Sequence, residues 1–211
     1  MARPDHSIDP RILACAKAEF LSCGFEKASL KRICEAAQVT TGALYKRYSG
    51  KEELFCAVVE PTLRDLNAIM EERCAVDPRT LSDEVLFAAW DMDNDSMMWW
   101  YRFLNERRDG FVLLLAHSEG TRYANFQHDW VQRMTEATYG YYQAAYDHGL
   151  VEKFIPIREM HILLTAFWST IYEPFIHGCT WGEIETHSEI VCKLFDWYSA
   201  LGFKKDWKER G

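Results

Sequence analysis

Several things are missing from these 211 residues, and each absence narrows what the chain can be. No apolar run approaches the roughly 18 residues that a membrane span requires. The start, Met1 to Pro10, carries Arg3, Asp5, His6 and Asp9 instead of the apolar stretch of a secretory leader. A cytoplasmic protein without membrane contact is therefore expected. The seven cysteines, at 15, 23, 34, 56, 74, 179 and 192, are odd in number and show no C-x-x-C spacing, which is cytosolic thiol usage. No segment alternates apolar and polar residues as a half-buried strand does, and no repeat or low-complexity tract is present. H-E-x-x-H, the G-x-S-x-G elbow, the Walker loop and G-x-G-x-x-G are all absent. No glutamate has a histidine three residues later, so the paired Glu-x-x-His ligands of a di-iron helical bundle are missing. These absences point away from an enzyme and imply no cofactor.

What is present is a globular composition, 48% hydrophobic and 14% aromatic, at a length that suits one or two domains. The net charge of -8 is unevenly spread. Residues 1–51 hold nine Lys/Arg against five Asp/Glu, a net of +4, and the remainder carries -12. A cationic head attracts phosphates while an anionic body is repelled by them, which would confine nucleic-acid contact to one end of the chain. All eight tryptophans lie at or beyond Trp90, so the head has none.

Apolar spacing predicts an all-α fold of about nine helices. Pro10 to Cys23 places Leu13, Ala16, Phe20 and Cys23 on one stripe, closed by Gly24. Ser29 caps a second helix with Leu30, Ile33, Cys34 and Ala37 buried, and Thr41 to Tyr48 form a brief third. Ser49 and Glu52 read as a capping box for a fourth helix to Cys74, with Leu54, Phe55, Val58, Thr62, Leu66 and Ile69 inward and a kink expected at Pro61. Shorter helices follow at Ser82 to Trp90, Met97 to Arg108 and Phe111 to His117. The longest is expected to carry Tyr123, Phe126, Trp130, Met134, Ala137, Tyr141 and Ala145 inward, until Gly149. Arg158 to His177 places Met160, Leu164, Phe167, Ile171 and Phe175 inward, and Glu183 to Leu201 places Ile190, Leu194, Trp197 and Leu201 inward. Each of the last two also carries a second stripe, Leu163 and Trp168 on one, Val191, Phe195 and Tyr198 on the other. A helix apolar on two sides must bury both, which suggests a homodimer interface.

Helices two and three, joined by a short turn, have the form in which a second helix enters the major groove while the first braces it. With Leu44 inward, the third helix presents Thr41, Ala43, Tyr45, Lys46 and Arg47 outward. Over about 45 residues the sequence resembles the tetracycline-repressor (TetR) family of bacterial transcription regulators. The resemblance is carried by Ile12-Leu13, Ala16, Phe20, Gly24-Phe25, Ser29-Leu30, Ile33-Cys34, Ala37, Val39, Gly42-Ala43-Leu44-Tyr45, Tyr48 and Lys51-Glu52-Glu53-Leu54. Gln38 departs from it, standing where the family often has glycine. The resemblance implies a helix-turn-helix DNA-binding domain over residues 1–51 and a helical ligand-sensing and dimerisation domain over 52–211. It implies base contacts at Thr41, Ala43 and Lys46, phosphate contacts at Tyr45 and Lys51, and either kind at Lys31 and Arg47. Thr40 and Gly42 complete the expected DNA-facing set. Threonine methyl and alanine suit thymine methyls, Lys and Arg suit guanine acceptors, and tyrosine hydroxyl suits phosphate.

The expected partners are a double-stranded DNA operator, an unidentified small-molecule effector and a second copy of the chain. Rings and carboxylates of the larger domain suggest an effector site drawn from Trp99, Tyr101, Phe103, His117, Tyr123, Phe126, Trp130, Trp168, Tyr172 and Glu173. The pairs Glu173/His177 and Glu183/His187 stand at i,i+4, a spacing able to chelate a metal, although neither pair makes a site alone. The rival readings are a helical-bundle metalloenzyme and a protein-binding adaptor, and the second leaves the cationic head unexplained.

Overall fold

The structure, a computed structural model, describes residues 8–204; Arg3, Asp5, His6 and Trp207 lie outside the described residues. Eleven α-helices account for most of it. They are α1 (Ile8–Lys27), α2 (Leu30–Ala37), α3 (Thr41–Tyr45), α4 (Lys51–Cys74), α5 (Asp83–Ala88), α6 (Asn94–Glu106), α7 (Arg108–Ala116), α8 (Phe126–Asp147), α9 (Ile157–Ile176), α10 (Trp181–Leu194) and α11 (Trp197–Leu201). Extended pairing among the described residues is limited to one isolated bridge, Val151 to Phe203. The fold is all-α.

The chain divides into two compact units, and the division falls within α4 instead of at its start. The first unit runs to Asn67 and takes in Arg107–Gln127; the second comprises Ala68–Glu106 and the chain from His128 onward. The first unit thus holds more than the cationic head, because α7 packs on α1 and completes its core. Lys17 reaches Asp109 at 2.7 Å, and the Phe25 amide donates to the His117 carbonyl at 3.0 Å. The buried stripe of α1 is Ile12, Ala16 and Phe20, with Leu13 only half-buried. Phe20 and Phe25 both meet the Phe55 ring edge-on. Gly24 leaves the helical conformation at φ 76°, and one further helical turn follows, so the backbone breaks where glycine was expected to close the helix but α1 extends to Lys27. Deep in this unit α7 crosses α4 with Gly110 against Thr62, where an added Cβ would lie 2.1 Å from the Thr62 hydroxyl oxygen.

α4 begins at Lys51, one residue later than expected, so Glu53 and not Glu52 accepts the Ser49 amide proton. The Ser49 side chain foremost, and then its amide, hold the Glu53 carboxyl below its ordinary range. Glu52 instead accepts from the Arg122 amide at 3.0 Å. The buried stripe is Phe55, Val59, Thr62, Leu66 and Met70, and the helix continues through the exposed Pro61 without a break. At 24 residues it is longer than α8, which has 22 because Ser118 to Ala124 form turns.

In the second unit α6 packs on α9 and α10. Trp168, Tyr101, Tyr142 and Phe175 are the largest side chains sealed in its core. The expected inward stripe of α9, Met160, Leu164, Phe167, Ile171 and Phe175, is buried, and so is Trp168, although its spacing puts it on the second stripe. α10 inverts the expectation: Ile184, Ser188 and Val191 are buried, whereas Ile190 and Leu194 are 53% and 70% exposed. The single helix expected to reach Leu201 ends at Leu194, because Phe195 leaves helical geometry and Asp196 caps a separate α11 through the Ser199 amide. The start of α10 is a capping box in which Thr180 and Glu183 satisfy each other's backbone amides.

Candidate nucleic-acid interface and an aromatic cavity

α2 and α3 are short, and three local devices fix them. The Ser29 hydroxyl accepts the Arg32 amide proton at the start of α2. Gln38, in left-handed backbone at φ 54°, reverses the chain after Ala37 and returns its amide to the Cys34 and Glu35 carbonyls. The Thr40 hydroxyl then caps α3 by accepting from the Ala43 amide at 3.1 Å. Glu19 on α1 ties the arrangement together, accepting from the Arg32 guanidinium at 2.7 Å and from the Ser29 amide at 2.9 Å. These donors, the Arg32 side chain foremost, hold the Glu19 carboxyl below the usual carboxylate range.

Leu44 is fully buried and anchors α3, so the opposite face is left to solvent. Thr40, Thr41, Gly42, Tyr45 and Lys46 are exposed, Tyr45 by 53%, and Ala43 is half-buried. Lys31 is exposed in the first turn of α2 and pairs loosely with Glu35. The two remaining cations of the expected set have internal tasks. Arg47 binds Asp9 of α1 and donates to the Ala43 carbonyl at 3.1 Å, which fastens the end of α3 to α1. Lys51 donates from Nζ to the Glu26 and Ala28 carbonyls and lies 4.6 Å above the Phe25 ring, closing the turn between α1 and α2. Burial raises the Tyr48 phenol, consistent with a packed and not a contacting residue.

The second unit contains a cavity of about 390 Å³. Its wall is mainly aromatic and aliphatic, with Trp90, Trp100, Leu164, Phe167, Trp168 and Ile171 prominent, and Arg73 enters it from α4. Of the residues expected at an effector site, Trp168 lines this cavity. Trp130 stacks obliquely on Trp168 from behind, its ring centre 5.7 Å away. Tyr101 is buried with its hydroxyl on the Thr170 carbonyl, and burial raises its phenol. Trp99 and Phe103 stack on each other along α6, with Trp99 half-exposed. Tyr172 is buried beside Trp168. His117, Tyr123 and Phe126 belong to the first unit. Glu173 pairs with His177 at 3.1 Å on an exposed helical turn. Glu183 is occupied in its capping box and His187 faces the Thr170 carbonyl at 2.9 Å. Among the described residues no three His, Cys, Asp or Glu side chains gather as metal ligands would. Trp90, Trp100 and Arg73 were not foreseen as wall residues; helical spacing marks them as core or surface but gives no sign that they converge.

Residues 12–58 match the family model of bacterial regulatory proteins of the tetR family. Solved structures extend the likeness in fold to nearly the whole chain. A TetR-like transcriptional regulator from Rhodococcus sp. RHA1 superposes with a TM-score of 0.61 at 16% identity, covering 94% of this chain and 98% of its own. The TetR-family regulator PfmR from Thermus thermophilus gives 0.60 at 20% identity, over 87% and 96% of the two chains. A member of the TetR regulator family from Streptomyces coelicolor gives 0.59 at 17%, over 92% and 90%. No curated relative matches the chain. The N-terminal segment is thus similar to that of tetR-family regulatory proteins, and the chain as a whole has the all-α fold of the solved TetR-family regulators. Among the described residues no helix is long and apolar enough to cross a membrane.

Proposed function

We propose that this chain is a non-enzymatic, ligand-responsive repressor that binds a two-fold symmetric operator as a homodimer and is released by a small molecule. The observation that carries the reading is the exposed face of α3: Thr40, Thr41, Gly42, Tyr45 and Lys46 stand outward because Leu44 is sealed into the core beneath them. A helix so braced fits the roughly 12 Å major groove with its small N-terminal residues nearest the base edges. Thr41, Ala43 and Lys46 are the proposed base contacts, and Tyr45 and Lys31 reach phosphate. Arg47 and Lys51 act chiefly by holding α3 and the preceding turn in place, with the remaining Lys51 donor available to phosphate.

A dimer presents two such helices to half-sites about 34 Å apart, one turn of duplex. A ligand that binds better to a conformation of different spacing must weaken DNA binding by the same coupling factor. α4, which contributes residues to both compact units, is the element placed to carry that change.

Selection of bound duplexes from a random pool tests the reading. The expected product is an inverted repeat, bound with an affinity that falls steeply with salt, log-log slope about -0.9 per phosphate neutralised. On that site Lys46→Ala should cost about 1–3 kcal/mol and relax preference at one base pair of each half-site. Unselective binding, or selective binding that Thr41→Ala and Lys46→Ala together leave unchanged, would refute it.

A further inference from the structure

Rings with carboxylates would suit a cationic effector, but the buried charge in the cavity of the second unit has the opposite sign. The buried charged group set into its wall is Arg73. Its Nε is sealed from solvent and has no hydrogen-bond partner, and the guanidinium carbon lies over the Tyr141 ring, 4.4 Å from its centre. Arg73 has no carboxylate partner among the described residues. Burial pushes the guanidinium down from its ordinary value, the direction expected for a cation withdrawn from water without a counter-charge. Trp90, also in the wall and almost fully buried, has an indole N–H that likewise lacks an acceptor. Glu72 also lines the cavity, but its side chain is exposed to solvent and makes no ion pair with Arg73 among the described residues.

Two buried donors, one of them cationic, in a largely apolar chamber are costly unless something accepts from them. A ligand with an anionic head supplies that acceptor, whereas a cationic ligand would meet like charge. A volume of 390 Å³ holds roughly a dozen non-hydrogen atoms at about the 30 Å³ that a water occupies in the liquid. We propose that the cavity takes a small organic acid, its carboxylate on Arg73 and Trp90 and its apolar body among Trp100, Leu164, Phe167, Trp168 and Ile171. This rests on reading the second unit as the effector-binding part of the protein.

The test uses the full chain and two matched series, decanoate, decanol and decylamine, and 4-phenylbutyrate, 4-phenylbutanol and 4-phenylbutylamine, followed by calorimetry and by tryptophan fluorescence. Each acid is expected to bind at one saturable site, about 10- to 100-fold tighter than its alcohol, the range of a charge-assisted hydrogen bond, with the amine weakest. Arg73→Met, similar in bulk, should abolish the preference for acid over alcohol while the alcohol still binds. Trp90→Phe, which keeps an apolar ring and removes the donor, should weaken the acid by up to about tenfold and leave the alcohol unchanged. Equal binding of acid and alcohol, tighter binding of the amine, an undiminished preference in Arg73→Met, or no saturable binding of either acid would each overturn the assignment. The wild-type comparison decides the matter even if Arg73→Met does not fold. Arg73-dependent acid binding that leaves operator DNA bound would sink the release mechanism and spare this assignment; DNA release by a non-acid, with the acids unbound, would do the reverse.

Discussion

Gln38 occupies a backbone position that glycine fills without strain. Its φ of 54° is the one positive value outside glycine among the described residues, and it falls in the turn that sets α3 against α2. A side chain in left-handed backbone costs about 1–2 kcal/mol, partly offset because glycine loses more freedom on folding. Gln38→Gly should therefore stabilise the protein by about 0.5–1 kcal/mol and raise the thermal midpoint by roughly 2 °C, measurable by calorimetry. The outcome that would contradict the strain argument is a lower midpoint. At this scale much was legible in the sequence, since Gln38 already departs from glycine and Thr41, Tyr45 and Lys46 already face away from Leu44. The tasks of Arg47 and Lys51 were not. Their partners, Asp9 and the Glu26 and Ala28 carbonyls, lie 38, 25 and 23 residues away, and no helical spacing reports such encounters.

Among the elements, legibility followed how strongly a segment's own pattern determines its burial. The α9 stripe from Met160 to Phe175 is legible in the sequence because each of its members recurs at helical spacing, and all are buried. α10 defeated the same reasoning: it has apolar residues on two faces, and periodicity cannot say which of Val191 and Ile190 meets the core. The break at Phe195 and Asp196 was invisible because Trp197 and Leu201 resume the spacing after it. In α4 Leu54, Phe55, Thr62 and Leu66 face inward as expected, but Val59 and Met70 take the buried places expected for Val58 and Ile69. The close approach of α7 explains why small side chains stand there: Gly110 lets the helix backbone reach Thr62. An added methyl would lie 2.1 Å from the Thr62 hydroxyl oxygen and 3.0 Å from its Cβ, so rotating the hydroxyl relieves only part of the clash. Gly110→Ala should thus destabilise the first unit by about 1–3 kcal/mol despite the better helix propensity of alanine. Urea denaturation would show this as a lower midpoint at unchanged slope, and an unchanged midpoint would mean the helices separate at no cost.

For the whole molecule, the separation of charge and the surplus of apolar surface bear on the same issue. Residues beyond 51 carry a net -12, which opposes self-association unless apolar contact outweighs it. Ile162 on α9 and Ile190 and Leu194 on α10 are 55%, 53% and 70% exposed, and apolar side chains on neighbouring helices suit an interface with an identical copy. Such a two-fold contact presents each residue to the same patch of the partner, so a charge placed there is introduced twice. The double variant Ile190→Glu with Leu194→Glu adds carboxylates at positions already open to water, so the helical circular dichroism of the chain should be unchanged. On the proposed dimeric reading, sedimentation is expected to show a dimer for the parent and a monomer for the variant. Because a monomer holds one half-site without the effective concentration supplied by its partner, affinity for the full operator should fall by at least about 100-fold. If the variant sediments as the parent does, with its operator affinity intact, these side chains do not form an interface between copies of the chain.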